Sequence, residues 1–175
     1  MKTCKLLREQ VAAATGSKKA ELVLKNAQIV NVFTQSVETG DIAIEGGYIV
    51  GIGNYEGITE KDLGGAYVCP GFLDGHIHIE SSMTSPGEFE RAVVPHGTTA
   101  VITDPHEIAN VAGTAGIRFM MQSAQKLELD VYFMLPSCVP ATDLDESGAE
   151  LLARDLEPFY ADEKVLGLAE MMNAF

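Results

Sequence analysis

Cysteine is scarce in this sequence and poorly placed for pairing. Cys4, Cys69 and Cys138 are odd in number, far apart and free of any CxxC spacing, so no disulfide framework is expected and a reducing, cytoplasmic compartment is the expected setting. Long apolar runs are missing too. No stretch approaches the roughly 20 residues that span a bilayer, and Val11 to Ala14, behind Lys2, Lys5 and Arg8, is too short for the apolar core of a signal peptide. Basic residues are few: 12 Lys and Arg stand against 25 Asp and Glu, a formal net charge of −13 at pH 7. That balance repels phosphate backbones and anionic lipid, which argues against nucleic acid and membrane as partners. It suits a neutral or cationic small molecule, or metal ions held by carboxylates. Internal repeats and low-complexity tracts are absent as well. With 46% hydrophobic and 21% charged residues, the chain has enough apolar material to fold and is not a disordered segment.

Three textures follow one another along the chain. Residues 1–20 read as a short polar helix with Leu6, Leu7 and Val11 on one side, closed by Thr15-Gly16-Ser17. Residues 21–70 carry short β-branched runs cut by glycine, with strands expected over 22–24, 28–32, 41–45 and 48–52. Gly46-Gly47 between the last two is a two-residue hairpin signal. The region reads as a small antiparallel unit, part of a β-sandwich, too small to be comfortable alone.

From residue 71 to 175 strands and helices alternate. Strands are expected over 72–79, 98–103, 131–135 and 165–171, and helices over 85–94, 114–127 and 147–156. Ser85-Pro86-Gly87-Glu88 carries a capping pattern, and Pro95-His96-Gly97 a stop. Strand, helix, strand in this rhythm predicts an α/β fold with a parallel sheet, and four such strands make the first half of a (β/α)8 barrel. A doubly wound sheet is the other arrangement of this rhythm, but no glycine-rich phosphate loop follows the first strand.

The chemistry concentrates in Asp74-Gly75-His76-Ile77-His78-Ile79-Glu80. Side chains alternate along a strand, so His76 and His78 project to the same side and can grip one metal ion. Two histidines so spaced also arise by chance, but here they end a strand expected to be buried, beside an acidic residue. Glu170 sits among apolar residues on the fourth strand, where an isolated carboxylate is costly unless partnered or bound to a cation. Thr103-Asp104-Pro105-His106-Glu107 and Pro136-Ser137-Cys138 fall at the ends of the second and third strands, the functional edge of such a barrel. Asp74 reads as a backbone-bonding residue and His96 as a loop residue. Met120-Met121 and Met171-Met172 read as core filling, and Asp143, Asp145 and Glu146 as a solvated cluster.

Pro70-Gly71-Phe72-Leu73-Asp74-Gly75-His76-Ile77-His78 resembles the first-strand signature of the amidohydrolase superfamily. His78-Ile79-Glu80-Ser81-Ser82-Met83, Pro95-His96-Gly97-Thr98-Thr99, Asp104-Pro105-His106-Glu107-Ile108-Ala109-Asn110-Val111 and Gly167-Leu168-Ala169-Glu170-Met171-Met172-Asn173 resemble the adenine deaminase branch. The resemblance runs from about Glu21 onward. It implies a binuclear divalent centre, manganese or iron with zinc possible, in which His76 and His78 bind one metal and Glu170 bridges two. It further implies hydrolysis of a small purine, adenine, to hypoxanthine and ammonia, in a homo-oligomeric enzyme. His106 stands between proton handling and a structural role. Glu80, Ser81 and Ser82 either line the substrate mouth or cap the first helix.

The family's later ligands, two histidines and an aspartate from strands five, six and eight, are not in this sequence. The chain is therefore expected to be the front portion of an enzyme, inactive alone, with open sheet edges prone to pairing. A dihydroorotase-like or deacetylase-like amidohydrolase, and a short non-catalytic metal-binding or assembly protein, are the alternatives. A cytidine-type zinc deaminase is excluded, because no cysteine follows Pro140 to supply its PCxxC motif.

Overall fold

The computed structural model describes residues 4–172. The chain divides after Pro70 into two compact units. In the first, helix α1 (Cys4–Ala14) lies against a sheet of five strands: β1 (Ala20–Asn31), β2 (Ser36–Glu45), β3 (Tyr48–Gly53), β4 (Gly57–Asp62) and β5 (Tyr67–Val68). The order is β3-β2-β1-β4, with β5 also on β1. The first two neighbouring pairs are antiparallel, as expected, but β4 and β5 join β1 in parallel. The unit is therefore mixed rather than wholly antiparallel. Both added strands were illegible because Gly57-Ile58-Thr59-Glu60-Lys61-Asp62 is largely polar and exposed, and Tyr67-Val68 is too short to show a period. Gly46 and Gly47 take φ of 57° and 76°, the positive values that the hairpin turn demands. A Cβ on Gly46 would lie 2.5 Å from Leu6 Cδ1, so the glycine also lets α1 approach the turn.

The two strand candidates at 22–24 and 28–32 are one strand with a bulge between Leu24 and Ala27. Asn26, at φ 57°, occupies the bulge, where a short polar side chain tolerates the left-handed region. Its amide donates to Asp41 Oδ1 at 3.1 Å, and the Tyr55 amide donates to Oδ2 at 3.3 Å. The Lys25 ammonium reaches the same carboxylate and the Tyr55 carbonyl. Burial pushes the Asp41 carboxyl up, but Lys25 and the two amides outweigh it and hold it below its ordinary value. A carboxylate lowered in this way stabilises the fold above its unfolded pKa of about 3.9. That contribution is lost as pH falls through the depressed folded value. Asp41→Ala is therefore expected to cost about 2–3 kcal/mol at neutral pH, with the difference from the parent shrinking in acid. Urea midpoints that match at pH 7 would show that the bulge does not need this carboxylate.

The second unit is a parallel sheet in the order β6-β7-β8-β9: β6 (Phe72–Ile77), β7 (Thr98–Thr103), β8 (Asp130–Leu135) and β9 (Val165–Leu168). Spatial order follows sequence order, the arrangement of successive barrel strands, so the unit is an α/β half-barrel of four parallel strands. Helices α2 (Pro86–Val93), α3 (His106–Ser123) and α4 (Ala153–Leu156) connect them. Val131, Phe133 and Leu135, alternate residues of β8, are buried with Val101, Phe89, Ile117 and Met120 from the neighbouring elements. The outer strands are different. Phe72 and Leu73 on β6, and Leu166 and Leu168 on β9, are all more than half exposed.

Several elements depart from expectation. Ser85 occupies the cap position of α2 and Pro86 its first turn, but the hydroxyl makes no cap bond and Glu88 pairs with Arg91 instead. Helix α3 starts eight residues before the expected Thr114 and is broken at Gly113, with φ 58° and ψ −140°. Three residues before the break, the Asn110 carbonyl accepts the Gly148 amide at 2.7 Å and the Ser147 hydroxyl at 2.9 Å. This docking holds 147–152 out of a helix, as does the bridge of Leu151 to Val139. The helix expected over 147–156 is consequently only Ala153–Leu156, continued by a 3-10 turn over Glu157–Ala161. Met120 fills the core as expected, but Met171 and Met172 lie beyond β9 and are more than half exposed.

Candidate metal centre

Strand β6 ends at Ile77, so His76 is its penultimate residue and His78 the first residue after it. Asp74 Oδ1 accepts the His76 amide at 3.1 Å, which steadies the backbone between the two histidines. The rings meet edge to face, centroids 4.9 Å apart and planes at 85°. Their Nε2 atoms face each other at 3.2 Å. Glu170 closes the group from the other end of the sheet: Oε1 lies 3.4 Å from His78 Nε2 and Oε2 lies 3.9 Å from His76 Nε2. It is placed two residues past β9 rather than on it. The Ala169 amide donates to Leu135 O at 2.8 Å, and the Ser137 hydroxyl donates to the Glu170 carbonyl. One ligand atom from each of the three residues falls within 4.8 Å of the others.

These distances fit a divalent ion. Two imidazole nitrogens that share one ion at about 2.0–2.1 Å in a roughly tetrahedral arrangement stand close to the observed separation. One ring donating to the other would give the same distance, but it would leave the Glu170 carboxylate beside two neutral rings with no cation. Four buried polar atoms lack a hydrogen-bond partner among the described residues: His78 Nδ1, Glu80 Oε2, Thr103 Oγ1 and Asp104 Oδ1. All four belong to the ends of β6 and β7. Buried orphans so grouped call for an ion or water. Glu80, Asp104, Glu107 and Glu170 have no Lys or Arg ion pair among the described residues, so a bound cation would find carboxylates here free to balance it.

Asp104 and His106 form a buried pair beneath this rim. Asp104 is fully buried and His106 is 4% exposed. His106 Nδ1 lies 3.2 Å from Asp104 Oδ2, and Nε2 lies 2.7 Å from the Cys138 carbonyl oxygen. A carbonyl only accepts, so Nε2–H donates there. Burial pushes the Asp104 carboxyl up. His106 and His78 pull it back, and Glu170 adds to the rise. His106 is thus outside the three-residue cluster, with both ring nitrogens engaged.

The three residues expected at the mouth or at a helix cap are all engaged by protein partners, Glu80 and Ser81 by the start of α3 and Ser82 within its own turn. Glu80 Oε1 accepts the Ile108 amide at 3.2 Å, and burial pushes this carboxyl up. Ser81 Oγ donates to Glu107 Oε1 at 3.2 Å, and Ser82 Oγ donates to the Ile79 carbonyl at 2.6 Å. Glu107, which sequence reasoning placed at the barrel edge without a role, brings Oε2 to 3.1 Å from His78 Nδ1. Its only sequence signal was its position directly after a strand-end histidine.

The model of the amidohydrolase family matches residues 67–174. The chain belongs to the amidohydrolase family. Among curated relatives, this amidohydrolase is 59% identical to the adenine deaminase of Geobacillus kaustophilus over 95% of the chain and 29% of that protein. It is 57% identical to the adenine deaminase of Bacillus pumilus over 96% of the chain and 29% of that protein. For the adenine deaminase of Listeria monocytogenes the identity is 50%, over 99% of the chain and 30% of that protein. The chain therefore spans under a third of the length of these relatives. Among solved structures, the N-acyl-D-glutamate deacylase of Bordetella bronchiseptica, complexed with zinc and a phosphonate inhibitor, superposes with a TM-score of 0.54 at 17% identity. The match covers 80% of this chain and 34% of that one, a likeness of fold.

Proposed function

We propose that this amidohydrolase chain is the metal-gripping front portion of an adenine deaminase. The observation that carries the reading is the 50–59% identity to proteins of that name across nearly the whole chain. The His76, His78 and Glu170 cluster supplies the chemistry. His76 and His78 would hold one ion, with Glu170 beside them to share it or to bridge to a second. Imidazole and carboxylate together suit manganese, iron or zinc. Bound divalent ions supply the Lewis acidity that makes water a nucleophile near neutral pH. Water adds at C6 of adenine and the exocyclic amine departs as ammonia, leaving hypoxanthine, with proton transfer to the leaving nitrogen. His106 enters as the donor that fixes Cys138 and balances Asp104, and Glu80, Ser81 and Ser82 as the turn that sets the rim. A cytoplasmic homo-oligomer acting on a small purine completes the reading.

A protein extended to the relatives' length is the object to assay. It is expected to release ammonia from adenine and to yield hypoxanthine, with no turnover of dihydroorotate or N-acyl amino acids. The chain alone, with half the strands of a barrel, is expected to turn over none of them. Turnover of an N-acyl amino acid with adenine untouched would replace this reading by a deacetylase-like one.

A further inference from the structure

We propose that Glu107 is the positioning carboxylate of His78, holding its proton on Nδ1 so that the Nε2 lone pair faces His76 and Glu170. The proposal rests on the metal reading above and adds to it a residue that reaches the ion only through another. A histidine binds metal through a bare nitrogen, and which nitrogen is bare is set by what the other one bonds. His78 Nε2 is 3.2 Å from His76 Nε2 and 3.4 Å from Glu170 Oε1, so its remaining nitrogen decides the matter. That nitrogen, Nδ1, is buried and has no aligned hydrogen bond among the described residues. Glu107 Oε2 is the acceptor beside it, at 3.1 Å. The contact has the distance of an ion pair but not the alignment of a hydrogen bond. Among the described residues Glu107 is the group that His78 Nδ1 meets.

The carboxylate is also held in place. Ser81 donates to its other oxygen, Oε1, at 3.2 Å. The next amide along, that of Ile108, donates to Glu80 at 3.2 Å. Two reciprocal ties thus bind the turn after His78, through Glu80 and Ser81, to the first turn of α3, through Glu107 and Ile108. His106, one residue earlier, anchors the same helix start to the Cys138 carbonyl. The carboxylate that orients His78 is therefore carried on a helix end tied to the loop that follows β8.

The test compares the chain with Glu107→Leu and Glu107→Gln by two readouts. Imidazole ¹⁵N shifts in the metal-free chain report the His78 tautomer, and cobalt(II) titration reports affinity. The proposal expects Nδ1–H in the parent and mixed tautomers in Glu107→Leu. It also expects cobalt affinity to weaken in Glu107→Leu by about 10–100-fold, the usual loss when such a partner is removed. Glu107→Gln, whose amide oxygen still accepts, is expected to fall between. An Nε2–H tautomer in the parent, or a Glu107→Leu chain with unchanged tautomer and affinity, overturns the proposal. A parent chain that takes up no cobalt overturns the metal reading, while the ¹⁵N spectrum still decides the tautomer on its own.

Discussion

His78→Ala is expected to weaken cobalt(II) binding by a few hundredfold. Four-ligand structural zinc sites bind with about 10–16 kcal/mol, or roughly 2.5–4 kcal/mol for each ligand. At 1.4 kcal/mol for every tenfold, one lost ligand is worth a factor of about 60–700. His78 is the member with the shortest contacts to both others, 3.2 Å and 3.4 Å, so its loss leaves His76 and Glu170 3.9 Å apart with nothing between them. His96→Ala is the control, because His96 is exposed in the turn before β7 and remote in sequence from the cluster. Isothermal titration of both variants checks this. An affinity for His78→Ala equal to that of His96→Ala would mean that the histidine pair is not the metal's seat.

His106→Ala is expected to destabilise the second unit by about 2–4 kcal/mol, because it leaves a buried carboxyl and a carbonyl without their hydrogen-bond partner. The Asp104 carboxylate is fully buried and would keep only the distant help of His78. Cys138 O would lose its 2.7 Å donor. Because Asp104 is already pushed up by burial, the variant is expected to recover part of its loss by protonating Asp104 as pH falls. Binding a proton that the unfolded chain does not hold at that pH favours the folded state. His106→Gln, which can still donate to the carbonyl, should lose less. Urea unfolding without metal separates these expectations, and a shift under about 1 kcal/mol for His106→Ala would show that the pair is dispensable.

The parallel sheet and the His76–His78 pair were legible because both rest on local pattern: apolar runs at regular spacing, and alternation on one strand. What escaped depends on contacts distant in sequence. The segment 147–152 has helical composition, but its backbone is claimed by the Asn110 carbonyl and Val139. Gly148 shows why no local signal could reveal this, since a Cβ there would sit 2.3 Å from Val111 O. The glycine is required by a chain segment nearly forty residues earlier. Similarly, Glu107 and Ser137 gain their places only when three strand ends are brought to one edge. The bulge at Asn26 hid the continuity of β1 because it breaks the period of two on which strand reading relies.

The break at Gly113 gives α3 a mechanical character. The helix is two rods joined at a pivot, the first running from His106 to Ala112 and about 10 Å long at 1.5 Å per residue. The second rod carries Ile117 and Met120, wedged in the core. The first carries His106 and Glu107 and is pinned along its length: His106 to the Cys138 carbonyl, Glu107 to Ser81, Ile108 to Glu80, and Asn110 to Ser147 and Gly148. Ala109 on this rod is fully buried. The break therefore lets one helix serve two masters: the rod at the rim takes its direction from the strand ends, and the other takes its direction from the core.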